Sequence, residues 1–546
     1  MNDNAEVDDA PPLDLPAPRV AVKWIAIAYG AFLALLIPFF LWAGRGGWFE
    51  HDDWDYLVLR KAGDPGDLFR SHNGHWETIP VLVYRILWAM FGLRYRPYEL
   101  VSIILSLVGA SLLLAVMLRA RTRPWIAILT ATLLVFFGDA QPNVALRITS
   151  ITFVGFAVPF GLVQMLLADH DGPLDRRDWL GLAAGLASLL CSDVAIAMVF
   201  AVGVAMLVKR GWRIALFHLV PPAIVFSIWF ETLGRKDLGG GKPGQLRPLP
   251  HALHFAWVLV TGTFEALTRT NGIGVVLVGL LLIGLFLTLR NAGSDRRKEA
   301  VVPCAMLLGA FFFAIETGLG RADVLRLGAG AVRAGHYMDV VAYLSLPAIA
   351  LVADALVSRW RLVAPVLAVA LLVAIPVNAH VLEKRAHAGA GKQALFRNTV
   401  LLIPRLSLAK VVPRTERPFN GTASPITVGW LLDSAREGRL PRRSHVTPGN
   451  IAVATLRMSL VLTGAPSTQC HPFRSAVVRR LATKGAVRFR GGGLRISYLS
   501  GGTTVVKIAY RTSTRPFEWQ ITNVGRPLSL RLQPTPVKVP AAMLCD

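Results

Sequence analysis

The stretch from residue 51 to residue 77 brings together several side chains that could do acid–base chemistry. Its acids and imidazoles are His51, Asp52, Asp53, Asp55, His72, His75 and Glu77. Burial beside apolar helices raises the pKa of a carboxylate and a nearby cation lowers it, so such a group can be tuned as a general base. Because Asp52 and Asp53 are adjacent and point in different directions, we expect only one of them to be the base and the other to position the loop or hold a partner.

Two other interpretations of this stretch stay open. The aspartates could cap helices in a solvated acidic loop, and Asp55, three residues after Asp52, suits a structural or capping role. Aspartate and histidine are also ligands for divalent cations. However, His72 and His75 are three residues apart with no certain helix beneath them. We therefore assign no metal ligand and no certain cofactor, and a divalent cation stays an alternative.

A second group of polar side chains precedes a late apolar stretch. Its members are Arg321, Arg326, Arg333, His336 and Tyr337. Arginine presents a fork of donors that matches phosphate oxygens, so the group predicts a site for a lipid phosphate at headgroup depth. Anchoring of a membrane span to anionic lipid explains the same residues about as well. Arg147 is a weaker member of this group.

Apolar helices are the elements that must position these groups. The 546 residues are 53% hydrophobic with a mean hydropathy of +0.49, and the apolar residues come in stretches of about the length that crosses a bilayer. We predict a polytopic α-helical membrane protein with about eleven transmembrane helices. The predicted spans are 24–43, 99–118, 124–138, 149–168, 180–192, 194–209, 214–232, 272–289, 299–317, 337–357 and 362–379.

Short basic loops predict the orientation of these spans. Loops such as RARTR at Arg119–Arg123 and KRGWR at Lys209–Arg213 fall on one side, and the positive-inside rule makes that side the cytoplasm. Residues 1–20 lack the features of a cleavable signal peptide and are predicted as a cytoplasmic tail. The transmembrane domain then covers 21–380, and its first outer loop, 44–98, holds the acidic stretch outside.

Three further segments on the outer side are predicted to be structured. Residues 76–92 have apolar residues at helical spacing with tryptophan near both ends, which suits a helix in the membrane interface. Residues 250–268 are predicted as a second interfacial helix or a further span. In the segment 381–546, a helix at TVGWLLDSAREG precedes alternating β-type stretches, so we expect an extracytoplasmic α+β or β-sandwich domain.

This C-terminal part is also strongly basic. It holds 26 Lys and Arg against 6 Asp and Glu, or +20 of the chain's +24. The charge predicts an anionic neighbour such as lipid headgroups or an acidic envelope polymer, with solvated surface arginines as the alternative. Cys470 and Cys545 could form a disulfide or stay unpaired, whereas Cys191 and Cys304 are expected in the apolar core.

The layout resembles that of the GT-C glycosyltransferases, which are polytopic enzymes that use polyprenyl-phosphate-linked sugars. It has a first span, an outer loop that opens with an acidic pair (Asp52 and Asp53), interfacial helices, further spans and a C-terminal outer domain. The segment SHNGHWETIPVLVYRILWAMFG resembles the one that follows the acidic pair in many bacterial members, and TVGWLLDSAREGRLP resembles the helix that often opens their outer domain. The resemblance covers about residues 20–380 and extends weakly into the tail.

The resemblance implies roles for the two polar groups. An aspartate of the first outer loop would deprotonate an acceptor hydroxyl, which then displaces the polyprenyl phosphate, usually with inversion at the anomeric carbon. Asp52 is favoured over Asp53, because the first acid of the pair is the base in several members. Arg326, Arg333 and His336 are the candidates for stabilising the departing phosphate, with Arg321 and Tyr337 beside them.

The same resemblance implies partners and a location. We expect a polyprenyl-phosphate-linked sugar as donor, a glycan or glycolipid of the cell envelope as acceptor, contact with membrane lipids and no nucleic acid. His72, His75 and Glu77 would support the acceptor or the loop. The expected location is the bacterial inner (plasma) membrane. The tryptophan-aspartate signature of oligosaccharyltransferases is absent, which argues against peptide N-glycosylation.

Two further function classes are compatible with the sequence. A transporter or flippase of a lipid-linked saccharide would carry ionisable residues within its spans. Here the spans are nearly free of charge, with Asp193 and Glu316 among the few exceptions, which favours the enzyme. A non-catalytic envelope scaffold would use the acidic loop and the basic tail as docking surfaces.

Overall fold

The computed structural model describes most of the chain. The described residues are 19–60, 64–148, 151–237, 247–410, 412–419, 425–441, 447–463, 470–472, 475–481, 486–490, 493–500, 503–511, 518–522, 528–534 and 543–545. The predicted N-terminal tail, apart from its last two residues, lies outside them.

As far as residue 459, the named secondary-structure elements of the described chain are all helices joined by turns and loops. The α-helices are α1 Arg19–Ala43, α2 Thr78–Phe91, α3 Tyr95–Arg119, α4 Pro124–Val135, α5 Gln141–Val144, α6 Ala157–Ala168, α7 Arg176–Leu189, α8 Val194–Arg210, α9 Trp212–Thr232, α10 Leu249–Thr268, α11 Gly274–Asn291, α12 Ser294–Arg321, α13 Ala329–Val332, α14 Gly335–Arg359, α15 Val363–His387, α16 Ala390–Leu402, α17 Val428–Arg436 and α18 Pro448–Ser459. One-turn 3-10 or π segments link several of them.

Among the described residues, six helical stretches are long and apolar enough to cross a membrane. They are α3, α9, α11, α14, the run Ser294–Leu327 that begins with α12, and the run Val363–Arg405 that begins with α15. Four shorter apolar helices are α2, α4, α6 and the part of α1 from Ile27 to Ala43. The predicted build of a polytopic helical membrane protein is confirmed at this level, and the count of eleven spans stays a prediction.

Small side chains let the central helices approach one another. On α8, Ala197 and Ala201 are fully buried. Gly309 of α12 faces them, since a Cβ at Gly309 would lie 3.0 Å from the Cβ of Ala201. Such close backbone approach is the usual way in which apolar helices associate without a large hydrophobic driving force between them. The segment 250–268 forms α10, which packs along α12 and α14.

A second hydrophobic core joins the first loop to the helices after α15. It contains Trp48, Phe49 and Trp54 of the loop together with Val400 and Leu431, all less than a tenth exposed. Helix α15 runs through residue 380 to His387, and α16 then carries the chain into this core. The loop that carries the acidic stretch is therefore held on its apolar side by the C-terminal part.

Nine strands follow α18 within the part of the chain that the structure describes. They are β1 Leu460–Thr463, β2 Cys470–Pro472, β3 Val477–Leu481, β4 Ala486–Arg490, β5 Gly493–Ser500, β6 Thr503–Arg511, β7 Glu518–Thr522, β8 Leu528–Pro534 and β9 Met543–Cys545. They form two antiparallel sheets, ordered β1-β7-β4-β9-β2 and β3-β8-β5-β6. Cys470 is disulfide-bonded and lies opposite Cys545 in the register, while Cys191 and Cys304 are free thiols.

Candidate functional site

The two adjacent aspartates of the first loop have opposite environments. Asp53 is 1% exposed, and its carboxylate accepts hydrogen bonds from the Glu50 backbone N–H at 2.7 Å and the Tyr84 hydroxyl at 2.7 Å. Burial raises the pKa of Asp53 to about 7. The side chain of Asp52 is about half exposed. Asp53 therefore ties the loop to α2, and Asp52 is the acid that a substrate could reach.

A tight turn positions the two histidines that follow. His72 and His75 exchange backbone hydrogen bonds of 3.1 and 2.9 Å, and between them Asn73 and Gly74 have φ values of 53° and 91°. Two consecutive residues with positive φ make a type I′ turn, for which the Asn-Gly dipeptide is the preferred sequence. Because of this turn, the two imidazoles contact different acids.

His72 lies between two carboxylates. Its Nε2 is 3.8 Å from Oδ2 of Asp52, and its Nδ1 is 3.8 Å from Oδ2 of Asp55. Burial acts to lower the pKa of His72, but these acids outweigh it and the net shift is upward. The nearby His72 imidazole lowers the pKa of Asp52, so Asp52 is held in its charged form. Burial raises the pKa of Asp55.

His75 is paired with an acid from another part of the chain. Its Nδ1 lies 2.8 Å from Oδ1 of Asp193, which stands between α7 and α8 and also accepts from the Ser192 hydroxyl at 3.0 Å. Burial acts to raise the pKa of Asp193 and to lower that of His75, but their mutual attraction outweighs burial in both cases. The pair therefore favours carboxylate and imidazolium. Nε2 of His75 is 3.5 Å from Nη2 of Arg321.

The sequence marked Asp193 only as one of the few charged residues among the predicted spans, and Asp193 was not among the predicted site residues. The signal available was a lone acid in CSDVA, where the chain turns between α7 and α8. Glu316 was another of these charged exceptions. It lies within electrostatic range of Asp193, and its buried Oε2 has no hydrogen-bond partner among the described residues.

Glu77 supports the loop from beneath. It is 2% exposed, and its carboxylate accepts a hydrogen bond from the Tyr56 hydroxyl. Burial raises its pKa to about 7, against the opposing effect of the two nearby histidines. Glu77 therefore acts on the geometry of the loop and is too enclosed to meet an acceptor.

The residues predicted to bind phosphate do not all lie beside the acidic loop. Arg321 ends α12 beside His75, and His336, near the start of α14, lies within electrostatic range of Arg321, His75 and Asp52. The rings of His336 and Tyr337 are in edge contact, 4.2 Å between centroids.

The other two arginines of the group are placed differently. Nη1 of Arg333 lies 2.8 Å from Oε2 of Glu265 on α10, so its charge is already compensated. Arg326 is exposed in the 3-10 turn Ala322–Leu327. Arg147, the weaker candidate, pairs with Glu50 at 3.4 Å.

Two sets of side chains have the donor types for a divalent cation within the described residues. Ligand atoms of Asp52, Asp55 and His72 lie within 4.8 Å of one another. This donor set fits a hard or borderline cation, provided that His72 is neutral. The second set is built around Asp178, at the other end of the helices, where Arg210 already occupies both carboxylate oxygens at 2.5 and 3.0 Å. Only the first set is a candidate.

The site therefore combines a half-exposed carboxylate with two cations and a buried supporting layer, all at one end of the helices. No family model matches this chain, and no curated protein is similar to it, so the assignment of a function has to come from this arrangement of side chains.

Proposed function

We propose that the protein is a membrane-integral glycosyltransferase of the GT-C type. It would transfer a sugar from a polyprenyl-phosphate donor to an acceptor of the bacterial cell envelope at the outer face of the plasma membrane. The observation that carries this proposal is that the turn at His72–His75 places His72 3.8 Å from Asp52 and His75 3.5 Å from Arg321. This transfer needs a carboxylate base on the same loop as a cationic site for the phosphate.

In the proposed reaction, Asp52 accepts the proton of the acceptor hydroxyl as its oxygen bonds to the anomeric carbon. The bond from that carbon to the phosphate oxygen breaks, and the polyprenyl phosphate leaves with the electron pair. Arg321 and imidazolium His75 would stabilise the charge on the leaving phosphate, with His336 beside them. Arg321 takes the role expected earlier of Arg333, because the Arg333 charge is engaged by Glu265. A role for Arg326 stays a prediction.

Asp53 and Glu77 have supporting roles in this proposal. Each is buried under the loop and bonded to a tyrosine hydroxyl, Asp53 to Tyr84 and Glu77 to Tyr56. A catalytic group must be held within a fraction of an ångström by packed neighbours, and these two bonds supply that support.

The test is a transfer assay with purified full-length protein and a series of polyprenyl-phosphate sugars. Asp52→Asn removes the base but keeps the shape, and we expect transfer to fall at least about 100-fold. Asp64→Asn is the matched control, because Asp64 is an exposed acid of the same loop that only caps the turn at Gly66. Full transfer by Asp52→Asn would rule out the base assignment, and no use of any lipid-linked donor would rule out the transferase.

One observation favours the alternative of a transporter for a lipid-linked saccharide. Asp339 of α14 lies inside a candidate span, is fully buried and accepts a 3.3 Å hydrogen bond from Gln141. Its other carboxylate oxygen has no hydrogen-bond partner among the described residues. Ionisable groups inside membrane spans mark transport pathways in many proteins. Loss of saccharide transport into vesicles by Asp339→Asn, with transfer absent in the wild type, would favour this alternative.

A further inference from the structure

A groove on the C-terminal helical part is separate from the site in the first loop. It lies between α17 and the residues 404–410 and 412–414, and has a volume of about 560 Å³, within the range of small-ligand sites. Its lining consists of Pro404, Ala409, Lys410, Val412, Arg414, Leu432, Ala435 and Arg436. Ala409 and Val412 form a buried apolar floor that belongs to the second hydrophobic core.

The rim of the groove is basic and ordered. Lys410, Arg414 and Arg436 are exposed lining residues. Nη2 of Arg414 lies 2.8 and 2.6 Å from the two oxygens of Asp433, and Nη1 of Arg436 lies 3.4 Å from the same carboxylate. One acid therefore steadies two arginines without cancelling their charge. The backbone carbonyl of Arg414 also accepts from Gly429 at 2.8 Å, which fixes one wall of the groove to the other.

Helix α17 lines the groove on one side and contacts the first loop on the other. On its other side α17 presents Trp430, which stacks on Trp88 of α2 with ring centroids 5.3 Å apart and meets the edge of Trp54 at 6.4 Å. Trp54 follows Asp53 directly in the chain. A ligand in the groove therefore lies about one helix diameter, roughly 10 Å, from the loop that carries Asp52.

The position of α17 on α2 turns the groove away from lipid. Leu82, Ile86 and Met90 make the exposed apolar face of α2. At about 100° per residue, Trp88 lies on the opposite side of that helix, and α17 packs there. If the apolar face rests on the membrane, the groove opens to water. A water-borne anion therefore fits the groove better than a lipid headgroup.

We infer that this groove binds an acidic glycan, one that carries carboxylates or phosphates along its chain. The basic rim holds the acidic groups, and the partly buried Leu432 of the lining offers an apolar contact to the sugar rings. This inference rests on the proposed glycosyltransferase activity in one respect, which is that the bound glycan is then the acceptor. A long acidic glycan is held in the groove while its end reaches Asp52.

Binding is tested directly, without transfer, on full-length protein in detergent micelles. The probe is a galacturonate oligosaccharide, and its fully methyl-esterified counterpart is the uncharged control. We expect the acidic oligosaccharide alone to bind, with an affinity that falls as salt is added. The double substitution Lys410→Gln with Arg436→Gln should weaken binding at least about tenfold, because both charge-assisted contacts are lost.

Arg417→Gln is the matched substitution, since Arg417 is exposed three residues after Arg414 but does not line the groove. It should bind as the wild type does. Equal binding of the esterified oligosaccharide, unchanged affinity of the double variant, or capture only by vesicles of phosphatidylglycerol and not of phosphatidylcholine would overturn the inference. Binding without any glycosyl transfer would leave the groove in place and count against the proposed function alone.

Discussion

His75 Nδ1 and Asp193 Oδ1 lie 2.8 Å apart, although more than a hundred residues separate them in the chain. The contact joins the turn of the first loop to the junction of α7 and α8. Because the carboxylate raises the pKa of His75 and fixes its ring, it also sets the distance from His75 to Arg321. The geometry of the proposed phosphate site thus depends on a residue that would touch neither substrate.

We predict that Asp193→Asn lowers the transfer rate about 10- to 100-fold and shifts its pH profile. Without the carboxylate, His75 loses its proton at lower pH, so the alkaline limb of the profile should move towards lower pH. The measurement is the rate of transfer against pH for both proteins. Glu231→Gln is the control, because Glu231, near the end of α9, forms an exposed ion pair with Arg235. A lower rate with an unshifted profile would mean that Asp193 matters only for folding.

Transfer should survive chelation. The raised pKa of His72 favours its imidazolium, and an imidazolium has no lone pair for a metal. We expect at least half of the activity to persist in EDTA near pH 6. Loss of activity in EDTA and its recovery with Mn²⁺ or Mg²⁺ would instead make Asp52, Asp55 and His72 a cation site.

Asp53 should make the protein less stable as the pH rises. Its pKa is raised to about 7 in the folded state, against about 3.9 in an unfolded chain. Between about pH 4 and pH 7 the folded state therefore binds a proton that the unfolded state has released. The stability that this proton contributes is fully present below about pH 4 and is lost as the pH rises to about 7. Asp53→Asn should show a smaller decline in melting temperature from pH 4 to 7, measured by thermal unfolding.

Asp64→Asn is the control for the pH experiment, since that exposed carboxylate should leave the decline unchanged. A residual decline is expected in Asp53→Asn, because burial also raises the pKa of Glu77 to about 7. Equal declines in Asp53→Asn and the wild type would show that Asp53 is ionised in the folded protein throughout this range.

Gly92 should be essential for the contact between α2 and the C-terminal part. It has a φ of 54°, and a Cβ at this position would lie 2.1 Å from the Arg439 carbonyl oxygen. Gly438 has a φ of 70° but open space around its Cβ position, so Gly438→Ala measures backbone strain alone. We expect Gly92→Ala to destabilise the protein by about 1–3 kcal/mol more than Gly438→Ala in denaturant unfolding. Equal destabilisation by the two substitutions would mean that the contact between α2 and Arg439 accommodates the added methyl group without loss of stability.

Local features of this protein could be predicted from the sequence. The apolar stretches of sufficient length predicted the long helices, because a backbone in lipid has to satisfy its own hydrogen bonds. The four strands β4 to β7 occupy segments whose residues alternate between apolar and polar. Helix α17 lies within the segment predicted as a helix, and Thr427 caps it with a 3.1 Å bond from the Trp430 backbone N–H.

The roles within the site could not be predicted in this way. Asp52 and Asp53 are chemically identical neighbours, and only the positions of Glu50 and Tyr84 decide which of them is buried. Arg333 and Arg321 look alike in the sequence, yet Glu265 of α10 engages the charge of the first.

The sequence by itself determined the class of protein and the stretch of loop that holds the acids, because helix length, hydrophobic period and turn preference are properties of a few consecutive residues. The tertiary structure decided which acid is exposed, which arginine carries a free charge and that Asp193 meets His75. Those outcomes depend on burial and Coulomb attraction between groups far apart in the chain. Such energies exist only once the helices have packed.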